Sequence, residues 1–124
     1  MKRVIKILLV IVVVLFGYVY LTNINNSQIK ETVNHQDYHF KNAKLLNEHY
    51  NKHGIEMGFV SADAYELSAS DVVNNPSSLH KLEKEDSDDV YYLEETNEFV
   101  IVSKEGYIRT YFYPDAGKAY FDKQ

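Results

Sequence analysis

The sequence predicts an α+β protein: an apolar N-terminal helix, then two helices packed on a small antiparallel sheet of three to four strands. Three observations predict it. Residues 7–21 carry no charged side chain, apolar positions recur every three or four residues between 38 and 74, and the period drops to two between 90 and 113. The 124 residues leave room for one folded domain once the apolar segment is set aside. The expected division is a transmembrane signal anchor over 1–22, a polar tether over 23–35 and the α+β domain over 36–124. Cysteine is absent, which excludes disulfides, thiolate metal sites, a Cys nucleophile and a lipid-modified N-terminal cysteine. Stability must come from packing, and the many Tyr and Phe residues after position 37 supply the apolar mass for a core.

The anchor is read from length and flanking charge. The run over 7–21 spans about 22 Å of helix, and Val4, Ile5 and Thr22, with Lys6 snorkelling, bring it near the ~30 Å hydrocarbon thickness. Lys2, Arg3 and Lys6 precede the run and no cation follows until Lys30. That bias predicts a single-pass protein of the cell membrane, in contact with lipid through residues 4–22, with its N-terminus in the cytoplasm and its domain outside. The flank Tyr18-Val19-Tyr20-Leu21-Thr22-Asn23 offers no small-x-small pattern for signal peptidase, so the anchor is expected to stay uncleaved.

Residues 23–34 are polar and without a sustained period, which reads as a tether. From 38 to 53 the positions Phe40, Ala43, Leu46, Tyr50 and His53 share one helical face, and Gly54 ends that helix. Ser61 is the N-cap of a second helix, with Asp63 in its first turn. Its inward positions are Ala64, Leu67, Ala69 and Val72, and it stops at Asn74-Asn75-Pro76.

Three alternating runs follow, over 90–93, 98–103 and 107–113, separated by Glu94-Glu95-Thr96-Asn97 and Lys104-Glu105-Gly106. They predict a meander, with Gly106 at a left-handed loop position and Pro114 closing the last long strand. Residues 117–121 either add an edge strand or pack back on the sheet.

Regular alternation along 107–113 puts Ile108, Thr110 and Phe112 on one face and Tyr107, Arg109, Tyr111 and Tyr113 on the other. The second set suits a platform where Arg109 holds a phosphate and tyrosine rings stack on bases. The favoured reading of that set is plainer, a half-exposed sheet face on which Arg109 stacks across strands or pairs with Glu98 or Glu95, because such cross-strand pairs are common. His49 and His53 have the i,i+4 spacing of zinc ligands, but Tyr50, Asn51 and Lys52 between them lack the glutamate of the zinc-protease motif, so no metal is expected. His53 at a helix end serves either as a general acid/base or as a charge partner of the helix dipole. Glu83, Glu85, Asp86, Asp88 and Asp89 lack the glycine turn and ligand spacing of a calcium loop and read as a solvated loop. No cofactor motif is complete.

Several stretches together resemble the C-terminal toxin domains of Gram-positive polymorphic toxins, of the barnase, EndoU, colicin D and RelE-like ribonuclease group. They are His49-Tyr50-Asn51-Lys52-His53-Gly54, residues 57–65, residues 92–103 with Thr96-Asn97-Glu98-Phe99, and Gly106-Tyr107-Ile108-Arg109-Thr110-Tyr111-Phe112 with Pro114. The resemblance covers residues 38–124. It implies RNA phosphodiester transesterification without a metal, with His53, Arg109 and Thr110 as catalytic residues. Tyr111, with Tyr107 and Tyr113, would be available to the substrate. Because Arg109 and Thr110 face opposite ways on a regular strand, only a bulge or a strand end brings both into one site.

Charge and location stand against that reading. Beyond the anchor the chain has 10 Lys and Arg, its 13 less Lys2, Arg3 and Lys6, against all 18 Asp and Glu, or about −8. A domain outside the cell also meets little RNA. The competing expectation is therefore a non-catalytic, membrane-tethered module that binds a protein, an inhibitor or a basic partner, through its acidic loop and aromatic face. Convergence of His53 and Arg109 on one cleft distinguishes the two.

Overall fold

The computed structural model describes residues 2–30 and 35–124, with the backbone alone for 22–30. Two compact units divide the chain, Met1–His35 and Gln36–Gln124. The first holds helix α1 (Lys2–Lys30). Its 20-residue part Lys2–Leu21 has no buried residue and is long and apolar enough to cross a membrane, as a signal sequence would also be. The helix runs on through residues 23–30, where a polar tether was expected. Propagation from an existing helix needs no new nucleus, and neither Gly nor Pro interrupts that stretch. Residues 31–34 of the expected tether lie outside the described residues.

The second unit is α+β. Strand β1 (His39–Phe40) precedes helix α2 (Ala43–His49), which runs into a π-helical segment, Tyr50–Gly54. Helix α3 (Ala62–Asn74), strands β2 (Leu79–Leu82), β3 (Asp89–Leu93), β4 (Glu98–Val102) and β5 (Tyr107–Phe112), and helix α4 (Lys118–Lys123) follow. The sheet order is β1-β5-β4-β3-β2, antiparallel except where β1 joins β5 in parallel. It thus has five strands and is mixed, one or two strands more than the periodicity predicted. β1 is too short to show a period, and the Leu-His-Lys-Leu of β2 does not alternate apolar with polar.

The caps follow from side-chain chemistry. The Asn42 side chain accepts from the Leu45 amide at 2.9 Å and Ser61 from the Ala64 amide at 3.1 Å, so each satisfies a donor left free at a helix start. The first helix therefore begins at Ala43, after residues expected to be helical have been used for β1. In α3 the inward position belongs to the fully buried Tyr65, whereas Leu67 is exposed. Hairpin β3–β4 turns on Asn97 (φ 57°) and hairpin β4–β5 on Gly106 (φ 92°). Asn97 also joins Tyr92 (2.7 Å) to the Pro114 carbonyl (3.1 Å), which fixes where the chain leaves the sheet.

The two faces of the sheet carry separate cores. Helices α2 and α3 cover Leu93, Val100, Val102, Ile108 and Tyr111 with Leu46, Tyr65, Ala69 and Val72. On the far face Val90, Tyr92 and Phe99 pack with Phe121 of α4. Residues 117–121 thus pack back as a helix and not as an edge strand, adding a third layer.

A bulge interrupts β5. Val102 pairs with Ile108 but Ile101 pairs with Thr110, so Arg109 has no opposite residue. The alternation expected over 107–113 fails at that point. Ile108 and Tyr111 both face α2 and α3, and Tyr111 is fully buried instead of lying on an open face.

Tyr65 organises the helical layer. Its ring stacks on Tyr111 at 5.0 Å, meets Phe59 edge-on at 5.7 Å, and its hydroxyl donates to the Tyr111 carbonyl. Gly54 lies against this cluster: a Cβ there would collide with the Tyr50 ring and come within 3.0 Å of the Tyr65 ring. Close approach, and not a left-handed cap, explains the glycine; the left-handed residue is Gly58 (φ 93°). Replacing Gly54 by Ala should lower stability by about 1–3 kcal/mol in urea denaturation. A Gly54→Ala protein as stable as the wild type would show that the Tyr50 and Tyr65 rings have room to move.

Candidate functional site

A groove of about 680 Å³ opens beside the β5 bulge. It is lined by Phe40, Lys41, Leu45 and His49, from β1, α2 and the turn between them, and by Asp86 and Asp88 from the β2–β3 loop with Arg109. Lys104, Glu105 and Tyr107 of the β4–β5 hairpin also line it. The bulge is what points Arg109 here: a residue without a ladder partner leaves the pleat and re-aims its side chain.

Arg109 is about half exposed. Its guanidinium bonds the Asp88 carboxylate, which is only 6% exposed, and lies 3.8 Å from Asp86. The hydrogen bond and charge of Asp88 hold the guanidinium firmly protonated. The pairing is therefore with the β2–β3 loop and not with Glu98 or Glu95. Glu98 instead accepts from the Tyr111 hydroxyl, which lies 2.9 Å from Ser68 Oγ.

His49 stacks near Phe40 at 5.1 Å, and its Nδ1 is buried without a hydrogen-bond partner. Burial, then the neighbouring His53 and Lys52, lowers its pKa below the usual 6.5, with Glu48 opposing. That direction favours the neutral ring. His53, 6.1 Å away between ring centroids, is shifted down too, by burial and then Lys52. It stacks on Phe112 at 5.3 Å and lines a different concavity of about 400 Å³, with Glu56, Met57, Tyr113 and Asp115.

The predicted site residues are thus distributed over three places. Tyr107 and Arg109 share the groove, and Thr110 joins Arg109, Asp86 and Asp88 in a shallow adjoining concavity, the bulge having brought those two together. His53 and Tyr113 lie together elsewhere, so His53 and Arg109 do not converge on one cleft, and on that criterion the arrangement counts against a His53–Arg109 ribonuclease site. Tyr111 is in the core and cannot stack on a base. The histidine in the groove with Arg109 is His49, which the sequence offered only as the first of an i,i+4 pair.

Among the described residues, Glu83, Asp86 and Asp88 place carboxylate oxygens within 4.8 Å of one another, the arrangement that could hold a cation. Arg109 already supplies positive charge there, so a metal would compete with it. Compared with known proteins, no family model matches the chain and no curated sequence matches it.

The histidines set a pH dependence. In the unfolded chain they bind a proton near pH 6.5, whereas in the fold both pKa values are lower. The unfolded state therefore holds more protons as pH falls, so their contribution to stability is complete above about pH 6.5 and is lost on acidification through it. The melting temperature should fall between pH 7.5 and 5.5, and His49→Phe, which keeps the ring contact with Phe40, should flatten that fall. An unchanged slope in the variant would assign the effect to other groups.

Proposed function

We propose that Gln36–Gln124 is a metal-independent ribonuclease-type domain, working at the groove between His49 and Arg109 and held outside the membrane by an uncleaved helix over Lys2–Leu21. The observation that carries this reading is that a half-buried histidine, His49, and an arginine, Arg109, line the same open groove. The resemblance of residues 38–124 to toxin ribonucleases supports the reaction class alone; it points to His53, and His49 takes that role here because His49, not His53, shares a groove with Arg109. The cations Lys2, Arg3 and Lys6 before the apolar run support the orientation.

The chemistry follows from the groups. Neutral His49 takes the proton of a ribose 2′-hydroxyl as that oxygen attacks the adjacent phosphorus. The new O2′–P bond forms as the P–O5′ bond breaks, leaving a 2′,3′-cyclic phosphate and a 5′-oxygen that takes a proton from His49 or water. Arg109, with Lys41 and Lys104 in the same groove, offsets the charge that builds on the phosphate oxygens. Tyr107, 40% exposed, offers a ring for stacking on a base.

A second reading is favoured by the charge. A domain at about −8 whose groove arginine is already engaged by two aspartates also fits a tethered module for a basic protein.

Incubating the full chain in neutral detergent with total RNA and tRNA, in EDTA, separates the two. Cleavage is expected, reduced about 10²- to 10⁴-fold in His49→Ala and Arg109→Ala and within a few-fold of wild type in His53→Ala. No cleavage by the folded wild type would leave the binding module; loss in His53→Ala alone would move the site to the other concavity.

A further inference from the structure

We propose that the β2–β3 loop, residues 83–88, is an intramolecular latch on the groove: Asp86 and Asp88 occupy Arg109 in place of a phosphate, and an anionic ligand enters by displacing them. This rests on the reading of the groove as an RNA site. The contact that carries it is the Arg109 guanidinium bonded to Asp88 and 3.8 Å from Asp86, at the junction where groove and adjoining concavity share all three residues.

The loop is built to present those carboxylates. The Glu83 amide donates to the Asp88 carbonyl (2.8 Å) and the Ser87 amide to the Glu83 carbonyl (3.1 Å), closing it on itself. Ser87 is left-handed at φ 57°, which a non-glycine residue adopts at a cost and keeps only where its surroundings impose it. The two aspartates differ in a useful way. Asp88 is almost wholly buried, so it needs Arg109 to offset its desolvation; Asp86 is 61% exposed and loses little when released.

Loop and arginine therefore depend on each other. With Arg109 in place, Glu83, Asp86 and Asp88 tolerate approach within 4.8 Å. When a phosphate draws the guanidinium away, three like charges face one another with nothing between them, and the loop must move outward. A bound anion and a closed loop thus exclude each other. Lys41 and Lys104 also line the groove and offer the incoming anion positive charge, which they share with Glu105 of the same lining. The acidity that weighs against RNA binding is, in its nearest part, a removable competitor for Arg109.

The test measures binding of a fluorescein-labelled 2′-O-methyl-uridylate decamer, which cannot be cleaved, to the full chain in neutral detergent. Asp86→Asn, at the exposed site and safe for folding, should bind about three- to fivefold tighter than wild type. Asp88→Asn, which keeps the shape and an acceptor, should bind tighter still. The gain should vanish when either is combined with Arg109→Gln. If wild type binds through Arg109 but Asp86→Asn changes nothing, the groove reading stands and the latch is overturned. If Asp86→Asn tightens binding equally with Arg109→Gln present, the loop acts by general charge and the latch is again overturned. If no variant binds, the RNA site fails, and the latch with it.

Discussion

A strand in a sheet alternates its side chains between faces, and β5 breaks that alternation once, at Arg109. The extra residue lets Ile108 and Tyr111, an odd number apart, both face the helical layer. Without it Tyr111 would swing out of the stack with Tyr65, and the far face would receive a phenol where it has Thr110 and Phe112. The same irregularity puts a guanidinium outside the ladder, beside the β2–β3 loop. One backbone event thus serves both packing and the groove.

Because the protein has no cysteine, its core relies on ring contacts and on polar tips that find partners. Tyr65 reaches a backbone carbonyl of β5, Tyr50 reaches the Phe59 carbonyl at 2.8 Å, and Tyr92 reaches Asn97. Each hydroxyl is satisfied where it is buried, so large aromatics fill the layer without leaving an orphaned donor. The absence of a side chain at Gly54 completes this packing.

Turn chemistry and caps made much of the fold legible. Ser61 and Pro76 bound α3, and Asn97 and Gly106 mark both hairpins of the meander, because each residue type has a local backbone reason to stand there. Strand β1 was hidden by its length, β2 by a pattern with Lys81 on the inner face over Phe121. The bulge has no residue signature, and it decides which tyrosine is buried. The site inherited that uncertainty: Arg109 stood out as the cation of a tyrosine-rich strand, whereas the choice between His49 and His53 turns on a few tens of degrees of helix rotation. The helix through residues 23–30 shows the converse, a polar stretch kept helical by what precedes it.

The chain has eleven tyrosines and no tryptophan. Its near-ultraviolet signature therefore belongs to phenols and phenylalanine, and it includes the pair Tyr65 and Tyr111, stacked at 5.0 Å in the core. The Tyr111 hydroxyl also donates to the Glu98 carboxylate. The hydroxyl of one tyrosine at the heart of the fold thus meets a carboxylate only while the stack is intact.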